Sequence, residues 1–280
     1  MKIRFIQKLI DKIRKKSSFD MILMDKWVGY QNQNDIKTLV LGSSHLQNGF
    51  YAIEGEYNFA ISSQDLYYGY NLYKTLNRPT IKNIIVSFSV FTPGLSIIKT
   101  KQADFCLPYK TIMNIEYQNQ EDAKTKNLFK LEKSVKKELE KYQQKLSLKK
   151  DYRGNLAWYP HKKFFLEKAQ ERALKHYKNN QRENSQMNYC ESLISDAQKN
   201  NQNVYFILPP TTVGYRKALP AKEEVFKSII SLAKKYDNAK IIDYFDSDLF
   251  DENADFTNED HLNKQGAIKL SELIRKEINK

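Results

Sequence analysis

Two short segments at opposite ends of the chain carry residue types that could act together in nucleophilic catalysis. Gly42, Ser43 and Ser44 directly follow an apolar run, and Asp260 and His261 lie close to the C-terminal end. A serine on a tight turn after a buried strand is held outside regular structure, where a base can reach its oxygen and backbone N–H groups can face an oxyanion. A histidine from a distant part of the chain can serve as that base. Together the two segments favour a serine esterase or acyltransferase.

The elements that must position these residues alternate between strand-like and helical patterns. Near-continuous apolar runs are typical of strands covered on both faces, and amphipathic segments separate them. The pattern predicts an α/β protein, a three-layer α/β/α sandwich with a mostly parallel sheet. The predicted strands are Lys37–Leu41, Tyr57–Ile61, Ile81–Phe88, Val204–Leu208 and Lys240–Tyr244. The predicted helices are Gln64–Leu76, Asn184–Lys199, Lys222–Tyr236 and Lys264–Glu277.

The predicted sheet brings both segments to one edge. Sites in parallel sheets lie outside the carboxyl ends of the strands. Ser44 follows the first predicted strand, and His261 follows the last one after a loop rich in aspartate. Taken alone, His261 is typical of a helix-capping loop, because a helix is predicted to start at Asn263. Its pairing with the serine turn instead favours a catalytic base.

The middle of the chain interrupts the alternating pattern. Residues 119–150 are charged, rich in glutamine and helical, with leucine and valine near heptad spacing, and Tyr152–Tyr177 carries many aromatic residues. We interpret residues 93–180 as a helical insertion, a lid or a partner-binding arm, in an α/β domain that spans residues 35–280. Its aromatic side chains are expected to pack on the main sheet, with an aromatic surface for an acceptor molecule as the alternative.

Residues 1–34 form a lead-in that contains a basic amphipathic helix over Met1–Lys16. No apolar run there reaches the length of a signal-peptide core or of a membrane-spanning helix. We therefore expect the protein to remain in the cytoplasm. The helix either packs on its own domain or lies peripherally on the anionic inner face of the membrane.

The formal net charge of +13 raises nucleic acid as a partner. The lysines, however, are interleaved with glutamate and glutamine as on a solvated helix face, and specific nucleic-acid binding is not expected. A membrane surface, an acidic glycan or a nucleotide-linked donor explains the charge equally well. Cys106 and Cys190 lie outside any CxxC spacing, and His161 and His176 lack neighbouring ligands at metal spacing. Neither a metal nor another cofactor is expected.

Three stretches of sequence form a set: the turn Leu41–Ser44, the segment Asn58–Gln64 and the closing run Asp260–Ala267. Together they resemble the SGNH/GDSL hydrolase superfamily, and in particular bacterial branches with a Gly-Ser-Ser turn that modify cell-surface polysaccharides. The resemblance covers residues 35–92 and 200–280 and leaves out the insertion. It implies a three-layer α/β/α fold and ester chemistry.

Carried across position by position, the resemblance makes Ser44 the nucleophile and His261 the base. Ser43 then occupies the place of the family's usual aspartate. His45 directly follows Ser44 and should point away from the site if the turn opens a helix, which leaves it as a structural residue or a reserve base.

The group that supports His261 is left open by the sequence. The family's aspartate, three residues before the histidine, is Asn258 in this chain. Three alternatives follow: a Ser–His dyad, an Asn258 carbonyl that orients the imidazole, or recruitment of Asp260 or Asp255.

The oxyanion hole also departs from the family's pattern. No glycine follows the second predicted strand, and the family's Gly-x-Asn segment after the third strand is replaced by a stretch without asparagine at 87–91. Nearby serine and glutamine residues are therefore the candidate hydrogen-bond donors to the oxyanion. The candidate oxyanion or substrate-binding residues are Gly42, Ser43, Ser62, Gln64, Ser87 and Ser89.

These features predict a serine-dependent esterase or O-acyltransferase, with acetyl as the expected acyl group, acting on a bacterial surface polysaccharide or its precursor. The expected partners are a carbohydrate or acylated sugar and an acyl donor. A cytoplasmic location favours nascent capsule or lipopolysaccharide chains, or lipid-linked and nucleotide-linked sugars. The alternative is a catalytically degenerate protein that uses the fold and its insertion to hold a partner in polysaccharide biosynthesis.

Overall fold

The structure is a computed structural model of the 280-residue chain. It describes residues 18–121, 123–156, 166–180 and 186–280. The basic helix predicted over Met1–Lys16 and the aromatic residues at 158–165 lie outside these ranges.

A five-stranded sheet forms the centre of the fold. Its strands are β1 (Thr38–Leu41), β2 (Glu56–Asn58), β3 (Asn83–Ser87), β4 (Asn203–Leu208) and β5 (Ala239–Asp243). All neighbouring pairs are parallel, and the spatial order is β2-β1-β3-β4-β5. Each strand falls on or beside one of the five predicted runs. The second strand is shorter than predicted and ends at Asn58.

Helices cover both faces of this sheet. They are α1 (Ser18–Gln31), α2 (Ser44–Gly49), α3 (Leu66–Leu76), α4 (Cys106–Met113), α5 (Ala123–Phe129), α6 (Glu132–Gln143), α7 (Leu166–Asn180), α8 (Met187–Lys199), α9 (Val213–Arg216), α10 (Lys222–Val225), α11 (Lys227–Ala233) and α12 (Lys264–Ile278). Short 3-10 helices occupy Thr92–Gly94, Ile97–Lys99 and Ala103–Phe105.

Alternation along the strands divides the core into two apolar clusters. Leu39 and Ile84 point to the face covered by α1, α3, α8 and α11. Val40 and Ile85 point to the opposite face, covered by α2 and α12. The central strands β1, β3 and β4 are therefore buried on both sides along most of their length, as their near-continuous apolar sequences require. The predicted α/β class, with a parallel sheet between helices, is confirmed.

A small antiparallel hairpin precedes α12, where the sequence predicts a loop. Its strands are β6 (Phe256–Asn258) and β7 (His261–Leu262), and Asn258 is paired with His261. The strands are too short for an alternating pattern to identify them in the sequence.

Two predicted helical segments are each divided in two. The segment predicted over Lys222–Tyr236 contains α10 and α11, which are separated at Phe226, where φ is −106° and ψ is 13°. Phe226 is fully buried, and its ring packs against Phe88 and Phe245. The charged stretch at 119–150 contains α5 and α6, and its apolar residues Leu128, Val135 and Leu139 are buried in the core.

Helix α1 packs on the sheet domain through Phe19, Leu23 and Met24, which are all buried. It was not predicted as a separate element. None of the helices in the described ranges is long and apolar enough to cross a membrane.

Lys26 on α1 is fully buried and joins three segments of the fold. Its ammonium group donates hydrogen bonds to the carbonyl oxygen of Asn58, at 2.7 Å, and to that of Gly154 in the insertion. Burial lowers the pKa of Lys26 to about 7, although the charge of Asp25 opposes this shift. The end of β2 and the insertion are therefore tied to α1 by an amine that loses its proton easily.

We expect the stability of the protein to rise between about pH 7 and the ordinary lysine pKa of 10.5. In this window the unfolded chain binds a proton at Lys26 that the folded chain has released, so increasing pH favours the folded state. Relative to Lys26→Met, the wild type should gain about 1 kcal/mol of unfolding free energy per pH unit. Urea denaturation across this window measures the difference.

The exposed lysine variant Lys227→Met is the control, because it removes a lysine without touching the buried contacts of Lys26. Parallel stability curves for wild type and Lys26→Met would contradict the assignment of a lowered pKa to Lys26.

Candidate active site

The turn that carries Ser44 is anchored from two neighbouring segments. Gly42 has a φ of +110°, and Ser43 is extended before Ser44 opens α2. The Gly42 N–H donates to Gln64 Oε1 at 2.6 Å, and the Ser43 N–H donates to Ser87 Oγ at 2.8 Å. These bonds hold the chain as it leaves β1 and direct it into a helix at the carboxyl edge of the sheet.

His261 is positioned by the hairpin and by the start of α12. The Asn263 side chain caps this helix, accepting a hydrogen bond from the Gly266 N–H at 3.1 Å. Leu262, beside the histidine, belongs to the same buried cluster as Leu46 of α2. Helices α2 and α12 also contact each other directly. The packing of these two helices therefore sets the spacing between the serine and the histidine.

The structure places Ser44 and His261 within hydrogen-bond distance. Ser44 Oγ lies 2.8 Å from His261 Nε2. The other ring nitrogen, Nδ1, lies 2.8 Å from Asp260 Oδ1 and 3.0 Å from Asn258 Oδ1. Because both partners of Nδ1 are acceptor atoms, Nδ1 carries the proton. Nε2 is then left with its lone pair facing the Ser44 hydroxyl, and it can accept the serine proton.

Asn258 supports the hairpin turn as well as the imidazole. Its side-chain oxygen accepts the backbone N–H groups of Asp260, at 3.2 Å, and of His261, at 3.0 Å. These contacts orient the amide with its oxygen towards the histidine. Two of the alternatives from the sequence, Asn258 and Asp260, are therefore both present at Nδ1.

Recruitment of Asp255, which the sequence left open beside Asp260, is contradicted by the structure. Asp255 Oδ2 accepts from Lys269 Nζ at 2.6 Å and from the Asp251 N–H at 2.9 Å. It caps a local loop and pairs with α12, so it does not support His261.

Asp260 is a completely buried carboxylate at the centre of a cluster of charged and ring side chains. Arg172 Nε lies 2.9 Å from its Oδ1, and the ring nitrogens His45 Nε2 and His176 Nδ1 lie 3.3 Å and 3.6 Å from its Oδ2. Burial alone raises the pKa of Asp260. The interactions with His261 and His45 outweigh burial and hold that pKa well below its ordinary value. The group is therefore an anion at neutral pH.

His45 does not point away from the site, which corrects the expectation from the sequence. Its ring stacks on that of His261, with centroids 4.7 Å apart and planes 10° apart. Its Nδ1 lies 2.9 Å from Ser89 Oγ. Helix α2 is short and packs its inner side on the sheet, so the residue after Ser44 turns inwards. Burial lowers the pKa of His45, which is neutral at neutral pH.

Two further residues of the cluster come from helix α7 of the insertion. Arg172 and His176 are four residues apart and therefore lie on one helix face. His176 Nδ1 also lies 2.7 Å from the Tyr215 hydroxyl, and burial lowers the pKa of His176 to about 3. The spacing of the pair is visible in the sequence, but no local pattern connects it with Asp260.

Several of the predicted oxyanion residues are instead engaged within the protein. Ser87 Oγ accepts the Ser43 N–H, and Ser89 Oγ contacts His45. Gln64 is buried, and its amide nitrogen lies 3.4 Å from the Tyr109 hydroxyl while its oxygen accepts from the turn. These three side chains support the turn and its surroundings.

Ser62 is also tied to α2. Its N–H and hydroxyl both donate to Gln47 Oε1, the hydroxyl at 3.0 Å. The next residue, Ser63, has a φ of +62°, which is a left-handed conformation that favours glycine. The backbone after β2 thus makes a tight turn although the sequence has no glycine there.

His45, Asp260 and His261 offer ligand atoms that all lie within 4.8 Å of one another. Three ligand atoms at this spacing are compatible with a divalent metal ion by distance alone. In this structure each imidazole turns a ring nitrogen to a carboxylate oxygen, and Arg172 already lies against that carboxylate. The contacts are those of a charge-balanced network around an anion.

No family model matches the chain, and no curated protein matches its sequence. The fold supports the α/β class with a five-stranded parallel sheet.

We expect Gly42→Ala to lower the free energy of unfolding by about 1–3 kcal/mol. A Cβ atom at Gly42 would lie 2.3 Å from Ser87 Oγ, and the φ of +110° is strained for alanine. Chemical denaturation measures the loss. Gly49→Ala is the matched control, because the nearest atoms to its added Cβ are 3.6 Å and 3.8 Å away. It should change stability by less than about 1 kcal/mol, and equal stability of the two variants would contradict this account of the turn.

Proposed function

We propose that this protein is a serine-dependent esterase or O-acyltransferase. In this proposal Ser44 is the nucleophile, His261 is the general base and Asp260 orients the base. The observation that carries it is the continuous chain of contacts from Ser44 Oγ to His261 Nε2 and from His261 Nδ1 to Asp260 Oδ1, each 2.8 Å long. A nucleophile, a base and an orienting acceptor in hydrogen-bond reach are the arrangement that covalent acyl transfer requires.

The reaction would proceed through two acyl transfers. His261 Nε2 takes the proton of Ser44 as the serine oxygen bonds to the acyl carbon, and the bond to the leaving alcohol then breaks as His261 returns the proton to that oxygen. Water or a sugar hydroxyl next attacks the acyl-serine and gives its proton to His261. The Ser44 oxygen leaves with that proton. Water as acceptor gives an esterase, and a sugar hydroxyl gives an O-acyltransferase.

The start of α2 supplies donors for the developing oxyanion. The first N–H groups of a helix have no intrahelical partner. In α2 the first backbone bonds are made by Leu46 and Gln47, which both donate to the Ser43 carbonyl at 3.1 Å. The N–H groups of Ser44 and His45 precede them, next to the nucleophilic oxygen. They can stabilise negative charge on the substrate without any side-chain donor.

The substrate class in this proposal comes from the resemblance of the motifs to the SGNH/GDSL superfamily. That resemblance supports an O-acetyl ester of a bacterial surface polysaccharide or of its precursor. The basic amphipathic sequence of residues 1–16 supports a cytoplasmic site of action, with these residues as a peripheral contact to the inner face of the membrane.

We expect the purified wild type to react with a fluorophosphonate probe and to hydrolyse short-chain aryl esters. Ser44→Ala and His261→Ala should each lower both signals by a factor on the order of 10³ or more, because the nucleophile or its base is lost. Ser195→Ala, a serine on the remote helix α8, is the control and should react like the wild type.

Retention of the label in Ser44→Ala would contradict the assignment of the nucleophile. Absence of both reactions in folded wild type would contradict the enzyme proposal and favour the noncatalytic assembly protein.

A second pair of variants tests which acceptor orients the base. We expect Asp260→Asn to lower kcat by about 10³–10⁴, because an amide can present an N–H to His261 and favour the wrong tautomer. Asn258→Ala leaves the carboxylate in place and should cost only about 10-fold. Ester hydrolysis under saturating substrate gives both values. A larger loss in Asn258→Ala than in Asp260→Asn would reverse the two roles.

A further inference from the structure

We propose that Arg172, on helix α7 of the insertion, is a positioning residue for the reaction at Ser44. Its guanidinium balances the charge of Asp260 and thereby keeps His261 a neutral base. This inference rests on the proposed function. It assigns a role to a residue of the segment 93–180, which the motif resemblance does not cover.

The argument starts from one shared oxygen. Asp260 Oδ1 lies 2.9 Å from Arg172 Nε and 2.8 Å from His261 Nδ1. The Asp260 side chain has no exposed surface, whereas 37% of the Arg172 side chain is exposed. A buried carboxylate is costly unless a cation and hydrogen-bond donors compensate it. The partly exposed Arg172 side chain extends from helix α7 to this buried carboxylate.

His45 and His176 also lie beside the Asp260 carboxylate, but they do not supply a positive charge in place of Arg172. Burial lowers the pKa of His45 and also that of His176, which falls to about 3, so both rings are neutral at neutral pH. Among the described residues, Arg172 is the one permanent cation within ion-pair distance of Asp260.

The titratable and polar groups that face Asp260 or its partners are His45 on α2, Arg172 and His176 on α7, Tyr215 on α9, and Asn258, Glu259 and His261 on the hairpin.

Loss of the guanidinium would leave the carboxylate to attract a proton onto a neighbouring ring. His261 already donates to the same oxygen, so it is the ring that gains most from becoming a cation. An added proton on His261 must go to Nε2, the atom that faces Ser44. With a proton on Nε2, His261 cannot accept the proton of Ser44. This loss of the base would extend to higher pH than in the wild type. Removal of a positive charge near an imidazole raises the pKa of that imidazole.

The test follows the rate of fluorophosphonate labelling against pH in the full chain. On the acidic limb of this profile, labelling slows as the pH falls. We expect Arg172→Gln to shift this limb to a pH about one unit higher than in the wild type. Arg172→Lys should restore most of the wild-type profile. The control is Lys175→Gln, an exposed residue of the same helix, which should overlay the wild type. If Arg172 contacted the substrate instead, its loss would weaken probe binding without moving the limb.

Histidine NMR titration of the same proteins provides a readout that does not depend on activity. The resonance assigned to His261, identified by its loss in His261→Gln, should titrate at higher pH in Arg172→Gln than in the wild type. If Arg172→Gln does not fold, Arg172→Met keeps the apolar stem and is used in its place.

The outcomes separate the two proposals. Labelling of the wild type with an unmoved limb in the Arg172 variants would overturn the role of Arg172 and leave the serine enzyme intact. Absence of labelling in the wild type would overturn the enzyme proposal, and the NMR titration would then decide the effect of Arg172 on His261. An unchanged His261 titration overturns the inference in either case.

Discussion

The buried negative charge of Asp260 is the constraint on which the arrangement of the site depends. A carboxylate without exposed surface requires a cation and hydrogen-bond donors close to it. Arg172 Nε provides the cation at 2.9 Å, and ring nitrogens of His261 and His45 lie at 2.8 Å and 3.3 Å. Because the carboxylate only accepts hydrogen bonds, it favours a proton on each ring nitrogen that faces it. The remaining nitrogen of His261 is thereby turned, unprotonated, towards Ser44.

This constraint is met by segments that are far apart in the sequence. The parallel sheet brings the turn after β1 to the same edge as the end of β3, and α2 packs on α12, which follows the hairpin. Helix α7 then reaches Asp260 from the insertion. The sequence predicts that residues 93–180 form an insertion that acts as a lid or a partner-binding arm, and one helix of this segment, α7, contributes directly to the cluster around Asp260.

The sequence was sufficient for the sheet because apolar runs covered on both faces are long enough to recognise. It also indicated Ser44 and His261, since both follow predicted strands. It could not decide between Asn258 and Asp260, because that depends on a hairpin whose strands are only three and two residues long. His45 was misjudged because the packing of a six-residue helix decides its direction. Arg172 gave no local signal, since its role arises only from the docking of α7.

Nitrogen NMR of the histidine rings at neutral pH tests the central claim most directly, because it reports which ring nitrogen carries the proton. The account predicts that His261 is protonated at Nδ1 and unprotonated at Nε2, and that His45 is neutral with its proton at Nε2, facing Asp260. Substitution of Asp260 by asparagine should disturb both rings together. A His261 ring with its proton at Nε2 in the wild type would contradict the account, because Ser44 would then face a donor and not a base.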